Sequence, residues 1–305
     1  MYRIKNVDAD KCKSMDSKMA PLWLVFTNND SLGKDIYLLY KRGDDLRQDM
    51  LALQMIRIMD KIWKENGLDL RMNPYKCMST DRAEGIIEVV TEAQTIANIH
   101  RRKGILPALR YRKETLLDWL KEHNTSEASL RKAIHEFTLS CAGYCVATYV
   151  LGVMDRHSDN IMVMKTGQLF HIDFGHILGH YKEKFGIRRD RQPFVLTHDF
   201  IYVITNGSKT RSDEFDSFKN YCEEAFMILR RHGSFIISLF AMMVSTGLPE
   251  LQSVDKLNYL KESLQLDLTE EKARQHLRSK FAEALANAWA TAVNWTFHSM
   301  AKNNG

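Results

Sequence analysis

The amino-acid sequence predicts an α+β fold of two lobes, an antiparallel sheet over residues 1–90 and mainly helices over 91–305. Three features predict it. Runs of strand-forming residues stand early: LWLVFT at 22–27, IYLLYK at 36–41 and GIIEVV at 85–90. Beyond them, long stretches repeat apolar residues three and four apart, the period of a helix with a buried face. One hairpin, 161–172, breaks the helical part. A chain of 305 residues is long enough for one large domain or two lobes with a real core.

Taken in order, the strand at 22–27 follows a polar connection holding Ser17 and Lys18 and ends in a turn at Asn28-Asn29-Asp30. The strand at 36–41 ends in Lys41. Asp44-Asp45 then start a helix that runs to about Trp63, with Gly67 as its stop and Leu51, Met55, Ile58, Met59 and Ile62 as its apolar stripe. Asp49, in its first turn, suits the helix N-terminus electrostatically or reaches back to Lys41. Residues 68–80 read as a strand, a turn around Pro74 and a second short strand. Polarity returns at Thr91-Glu92 after the third main strand, which sets the lobe boundary. Helices follow at 115–122 and over Leu130 to Thr148, the second leading into a loop at 151–160. A loop spans 173–197, and helices at 215–232, 235–246, 254–264 and from Thr269 onward complete the second lobe. Trp289, Trp295, Phe297 and Met300 lie in the last of these; Trp295 and Phe297 are expected as membrane contacts, with core packing the alternative.

Composition narrows the class. Apolar residues at 45% and charged residues at 27% are those of a soluble globular protein. The net charge of +5 is small, so a basic site must come from local clustering. Five cysteines without paired spacing suit a reducing compartment, and Cys141 and Cys145, four apart on an apolar face, read as packing. The start, MYRIKNVDADKCKS, carries no apolar signal stretch. The longest apolar run, 235–244, is half of what a membrane span needs and reads as a buried helix. Five prolines and no Ser/Gly-rich tract argue against a flexible junction.

The chemistry concentrates in residues 151–176, LGVMDRHSDNIMVMKTGQLFHIDFGH. Strand 161–164, a Lys165-Thr166-Gly167-Gln168 turn and strand 169–172 form a stiff strut that holds two acidic loops side by side. One loop carries Asp155, His157 and Asn160, the other Asp173 and His176. Phosphoryl transfer from ATP needs such parts: a loop to orient the attacking hydroxyl, and an Asn and an Asp to hold magnesium. A lysine at a strand end, here Lys41, would grip the phosphates. Residues 181–191 add Lys182, Lys184, Arg188, Arg189 and Arg191 against two acids, directly after Asp173. Clustered cations there suit a ligand with several phosphates. With no aromatic stacking platform beside them, nucleic acid is not expected as a partner.

These residues resemble the catalytic domain of class I phosphoinositide 3-kinase catalytic subunits, a bilobal protein-kinase-like fold. The resemblance runs from PLWL at 21–24 to Trp289, Trp295 and His298. Its most specific pieces are GDDLRQD (43–49), SCAGYCVAT (140–148), DRHSDNIMV (155–163), HIDFGHILG (171–179) and KFGIRRDRQPF (184–194). The related protein kinases lack such a basic segment, the phosphatidylinositol-only class has a different loop, and the class II enzymes lack the first lysine cluster around 182–184. Ala20, Met154 and Ser158 depart from the pattern, which has a basic residue, a glycine and an asparagine there.

The resemblance implies ATP and Mg2+ as cofactors and transfer of the γ-phosphate to the 3-hydroxyl of phosphatidylinositol 4,5-bisphosphate. It implies Lys41, Asp155, His157 and His176 as the catalytic set, with either histidine as proton acceptor. Ser17 and Lys18 match the phosphate loop, and Asp49 the acid near Lys41. Met15, Trp23, Met162 and Ile172 match the walls around adenine, Tyr75 the inner pocket, and Glu88 and Val90 the hinge backbone. Asn160 and Asp173 match the metal ligands. A cytoplasmic protein recruited to the inner face of the plasma membrane is implied. So are a regulatory subunit with Src-homology domains and a Ras-type GTPase as partners of the full subunit. The adaptor-binding, Ras-binding, C2 and helical domains of such subunits are not in these residues, so a fragment is expected. The competing readings are a protein kinase of the related family and an inactive nucleotide-binding scaffold. Retention of Lys41, Asp155, Asn160 and Asp173 argues against the scaffold.

Overall fold

The computed structural model describes residues 3–15, 19–103, 113–179, 192–208, 212–288 and 295, and the backbone of 183–184 and 187–188. The chain divides into two compact units: residues up to Met55 with Pro74–Glu92, and Ile56–Asn73 with the residues from Ala93 onward.

The first unit is built on β1 (Ile4–Val7), β2 (Lys13–Ser14), β3 (Leu22–Asn28) and β4 (Ile36–Arg42), the start of α1 (Arg47–Glu65), then β5 (Cys77–Asp81) and β6 (Glu84–Glu88). All pairings are antiparallel, in the order β1-β3-β4-β6-β5, with β2 beside β3. The expected strands at 22–27 and 36–41 pair with Trp23 opposite Leu39. Lys41 lies opposite Gly85. A Cβ at Gly85 would stand 2.4 Å from the Met78 carbonyl oxygen, so only glycine lets β5 close on β6 at this rung. Asp45 Oδ1 accepts the Arg47 backbone N–H at 3.1 Å and satisfies a first-turn donor of α1.

The second unit holds β7 (Ala93–Thr95), α2 (Ile96–Lys103), α3 (Thr115–His123), α4 (Glu127–Leu151), β8 (Ile161–Met164) and β9 (Leu169–His171). After them come β10 (Glu183–Lys184), β11 (Ile187–Arg188), α5 (His198–Ile204), α6 (Asp213–Arg231), α7 (Gly233–Met243), α8 (Asn258–Leu264) and α9 (Glu270–Ala286). The core forms around α4. Ser126 and Ser129 cap its N-terminus reciprocally, which settles two first-turn donors. From Glu136 to Leu151 every residue is buried, so α4 is enclosed on all sides and not along one face as its spacing predicts.

α4 also fixes the hairpin. The Leu169 N–H donates to Ser140 Oγ at 2.9 Å, and the Tyr144 ring stacks on His171 with centroids 5.2 Å apart. β7 extends the hairpin to a three-stranded sheet, β7-β8-β9. Gly152 ends α4 at φ +59, and a Cβ there would meet the Gly179 nitrogen at 2.4 Å. The chain therefore turns from the helix straight into the 151–160 loop.

Several expectations are corrected. Residues 68–76 form no strand: Arg71 takes φ +52, which breaks an extended run, and Leu70 and Met72 pack at Gly143 of α4. The 173–197 loop carries the short antiparallel pair β10–β11. The 254–264 helix is a 3-10 turn, Val254–Leu257, followed by α8. α7 is not a buried helix: Gly233, Ile236 and Phe240 are buried, while Phe235 is 52% and Met242 66% exposed. Among the described residues no single helix is long and apolar enough to cross a membrane.

Candidate active site

In the first unit, Trp23 stands on β3 with its ring 5.7 Å from that of Tyr37, and Lys41 near the end of β4. Lys41 Nζ lies 3.1 Å from Asp44 Oδ2, and Asp49 is buried in the first turn of α1. Tyr75 is buried before β5. Glu88 ends β6, where its carboxylate accepts the Lys76 N–H at 2.9 Å and its own N–H donates to the Lys76 carbonyl at 2.8 Å. Val90 follows two residues later, half-buried. Met15 is held after β2 by its N–H to the Pro21 carbonyl, 2.9 Å. Ser17 and Lys18 lie outside the described residues.

In the second unit the hairpin brings the two acidic loops together. The Ile172 N–H donates to the Asn160 carbonyl at 2.9 Å, joining the end of one loop to the start of the other. Asn160 braces its own loop: Nδ2 donates to the Asp155 carbonyl at 2.7 Å, and Oδ1 accepts the His157 N–H at 2.8 Å. Asp155 and Asp173 take φ +58 and +63, left-handed values uncommon for residues with a side chain. Such conformations persist where surrounding bonds enforce them, and they cluster at functional sites. Met162, on β8, and Ile172, just past β9, are half-buried.

Arg156 supplies much of that enforcement. Its guanidinium donates to the carbonyls of Met154 (3.1 Å), Ile172 (2.8 Å) and Asp173, and lies 5.7 Å from the centre of the Phe174 ring. One planar fork thus ties the loop before the hairpin to the loop after it. Arg156 sits between two residues singled out from the sequence, and its spacing alone did not disclose this role. His176 follows: residues 176–179 bond to 151–154 through Met154 N–H to the His176 carbonyl (3.0 Å) and Leu178 N–H to the Leu151 carbonyl (2.7 Å).

Asn160 and Asp173 fit a hard divalent cation. Asp173 is exposed, and Asn160 Oδ1 spends one lone pair on His157 and keeps a second. Among the described residues no group of three or more His, Cys, Asp or Glu forms a metal cage. A pair of oxygen donors is the kind of set magnesium takes, since it commonly uses one or two protein oxygens and completes its shell with phosphate and water.

The buried His171 carries a pH signature. Burial, then the positive charge of Arg156, hold its pKa well below the usual 6.5, and Nδ1 has no hydrogen-bond partner among the described residues. The unfolded chain takes up this proton near pH 6.5, whereas the folded chain does so only at much lower pH. Between those values the unfolded state binds more protons, so acidification destabilises the fold, by at most roughly 1.4 kcal/mol per pH unit. His171→Phe keeps a ring against Tyr144 and is expected to flatten that dependence in urea denaturation between pH 6.5 and 5. An unaltered slope would assign the acid sensitivity elsewhere.

One expectation is overturned. Trp295 is 2% exposed, its ring centre lies 6.2 Å from that of Phe200, and its indole N–H donates to the Arg156 carbonyl at 3.3 Å. It is a core residue behind the Asp155 loop, not an indole at a membrane surface. Phe297, Lys182, Arg189 and Arg191 lie outside the described residues, and for Lys184 and Arg188 only the backbone strands β10 and β11 are described.

The family described as "Phosphatidylinositol 3- and 4-kinase" matches residues 35–253. The chain is 52% identical over 292 residues to phosphatidylinositol 3-kinase 1 of Dictyostelium discoideum, covering 96% of this chain and 18% of that protein. It is 48% identical over 300 residues to phosphatidylinositol 3-kinase 2 of the same organism, covering 98% of this chain and 16% of the relative. Phosphatidylinositol 3-kinase 3 is 46% identical over 299 residues, covering 98% and 17%. The chain therefore spans under a fifth of the length of these relatives. Both acidic loops, the hairpin and Lys41 fall inside the matched segment, and this chain belongs to the phosphatidylinositol 3- and 4-kinase family.

Proposed function

We propose that this chain is the catalytic region of a lipid kinase that moves the γ-phosphate of ATP to the 3-hydroxyl of phosphatidylinositol 4,5-bisphosphate, as class I enzymes do. The observation that carries the reading is the joining of the Asp155 and Asp173 loops by Arg156 and by the Ile172–Asn160 bond. Phosphoryl transfer asks for positioning above all. The substrate hydroxyl oxygen forms the new bond to the γ-phosphorus. The bond from that phosphorus to the β,γ-bridging oxygen breaks, and its electron pair leaves with ADP. Asn160 and Asp173 would hold magnesium, which when bound neutralises charge on the phosphate oxygens. Lys41 supplies the cation for the α- and β-phosphates. The proton of the attacking hydroxyl passes to His176. In His157 the Nδ1 lone pair is engaged by the Asp159 N–H at 3.3 Å, which disfavours that nitrogen as the acceptor. His176→Ala is expected to cost roughly 10²-fold or more in turnover and His157→Ala less. The reverse order would make His157 the acceptor.

The bisphosphate reading rests on the five cations of 181–191, because each added headgroup phosphate brings up to about two negative charges. The test is an assay with Mg-ATP and vesicles of each phosphoinositide. Replacing Lys182, Lys184, Arg188 and Arg189 by Ala is expected to spare phosphatidylinositol and to suppress the bisphosphate reaction. Equal loss on both lipids would mean that the segment only attracts anionic membranes, and peptide phosphorylation without lipid turnover would sink the lipid-kinase reading. Work at the inner face of the plasma membrane, a Src-homology regulatory subunit and a Ras-type GTPase are proposals for the whole protein, tested by fractionation and co-purification.

A further inference from the structure

Glu250 lies far along the chain from both catalytic loops and is 7% exposed. It sits between Leu248 and Leu251, both buried, and the Leu251 N–H donates to the Leu248 carbonyl at 3.0 Å. That turn anchors the backbone and leaves the Glu250 side chain directed at residues 176–177. Oε2 accepts the Ile177 N–H at 2.9 Å, and Oε1 stands 3.2 Å from His176 Nδ1. A nearly buried carboxylate is costly to keep unless its lone pairs are used. Here one oxygen is used by a backbone donor and the other by the ring.

We propose that Glu250 is a positioning residue that holds His176 as its Nδ1–H tautomer, with Nε2 free to accept the substrate proton. An ionised carboxylate has no proton to donate, so the hydrogen between Oε1 and Nδ1 must belong to the imidazole. The neutral ring then has one acceptor nitrogen, Nε2, on the side away from Glu250. The backbone of His176 is fixed independently by its carbonyl, which accepts the Met154 N–H at 3.0 Å. Main chain and ring are thus held by different parts of the fold, and the ring has one orientation and one tautomer. The inference rests on His176 as proton acceptor. It extends that reading by naming the group that makes the histidine competent, much as a second carboxylate orients a general-base histidine elsewhere.

Glu250→Gln gives a sharp test, because the Ile177 N–H is a donor and needs an oxygen. The amide oxygen of Gln must face Ile177, which turns its NH2 toward Nδ1. That NH2 can only donate, so the ring must move its proton to Nε2. In 15N-labelled chain near neutral pH, the Nε2 resonance of His176, assigned by its loss in His176→Ala, is expected to be that of an unprotonated nitrogen in wild type. It is expected to be that of a protonated one in Glu250→Gln. Turnover with Mg-ATP and lipid vesicles should fall roughly 10²-fold in Glu250→Gln with KM for ATP little changed. Glu250→Asp, which keeps the charge, should recover part of the turnover and the wild-type tautomer. A protonated Nε2 in wild type overturns the proposal, even if the Gln variant fails to fold. So does a tautomer that Glu250→Gln leaves unaltered, or full turnover with the tautomer inverted. Full turnover in His176→Ala would instead remove the proton-acceptor reading, while the tautomer measurement would still decide what Glu250 does to the ring.

Discussion

Asp173→Asn is expected to lower turnover about 10³-fold while leaving the melting temperature where it is. The carboxylate is exposed at the mouth of its loop, and the task proposed for it is to hold a cation against phosphate. An amide oxygen keeps the shape and loses the charge. Several kcal/mol of charge stabilisation, at about 1.4 kcal/mol for each factor of ten, gives the stated loss. The fold should not register the change. Asp173 takes φ +63, a conformation that Asn tolerates as well as Asp. Its Oδ1 accepts the Gly175 N–H at 3.4 Å, which an amide oxygen also does. The measurement is initial rate against magnesium concentration, beside a thermal melt. Wild-type turnover with ordinary magnesium dependence would dismiss Asp173 as a metal ligand.

Trp295→Ala is expected to destabilise the second unit by roughly 3–5 kcal/mol, the usual cost of emptying a buried aromatic site. The indole packs beside Phe200 on α5 and donates to the Arg156 carbonyl. Its loss therefore opens a cavity and strands an acceptor on the residue that clamps the two loops. Lipid and ATP turnover should fall together with stability. Trp295→Phe keeps most of the ring but removes the donor and leaves the Arg156 carbonyl without it, so it should cost about 1–3 kcal/mol. Urea denaturation separates the two. A stable Trp295→Ala chain that has lost vesicle binding alone would restore the membrane contact.

The contrast between these residues marks where the sequence stops being readable. The hairpin at 161–172 was legible because alternation, a Gly-containing turn and β-branched residues are all local. β3, β4, α1, α4 and α6 were legible for the same reason, their periods being visible within a single window. Local signals failed where the partner is distant. α5, HDFIYVI, is seven residues long and buried on most sides, so its run of Phe, Ile, Tyr and Val shows no helical period. Residues 68–72 alternate like a strand, yet no ladder receives them, and their apolar side chains fill space against α4. α7 is apolar enough to suggest burial, but whether such a helix is covered depends on what lies across from it.

By itself the sequence determined the residue types of the candidate set, the strut that separates them and the α+β class, because short-range spacing carries each of these. The tertiary structure alone decided how the set is held. It put both aspartates in left-handed backbone, gave Arg156 three carbonyls, turned Trp295 inward and set Glu250 on His176. The Glu250 and Trp295 contacts join residues 74 and 139 positions apart. Contacts of that separation are fixed by packing of the whole core, and no periodicity or spacing within a segment encodes them.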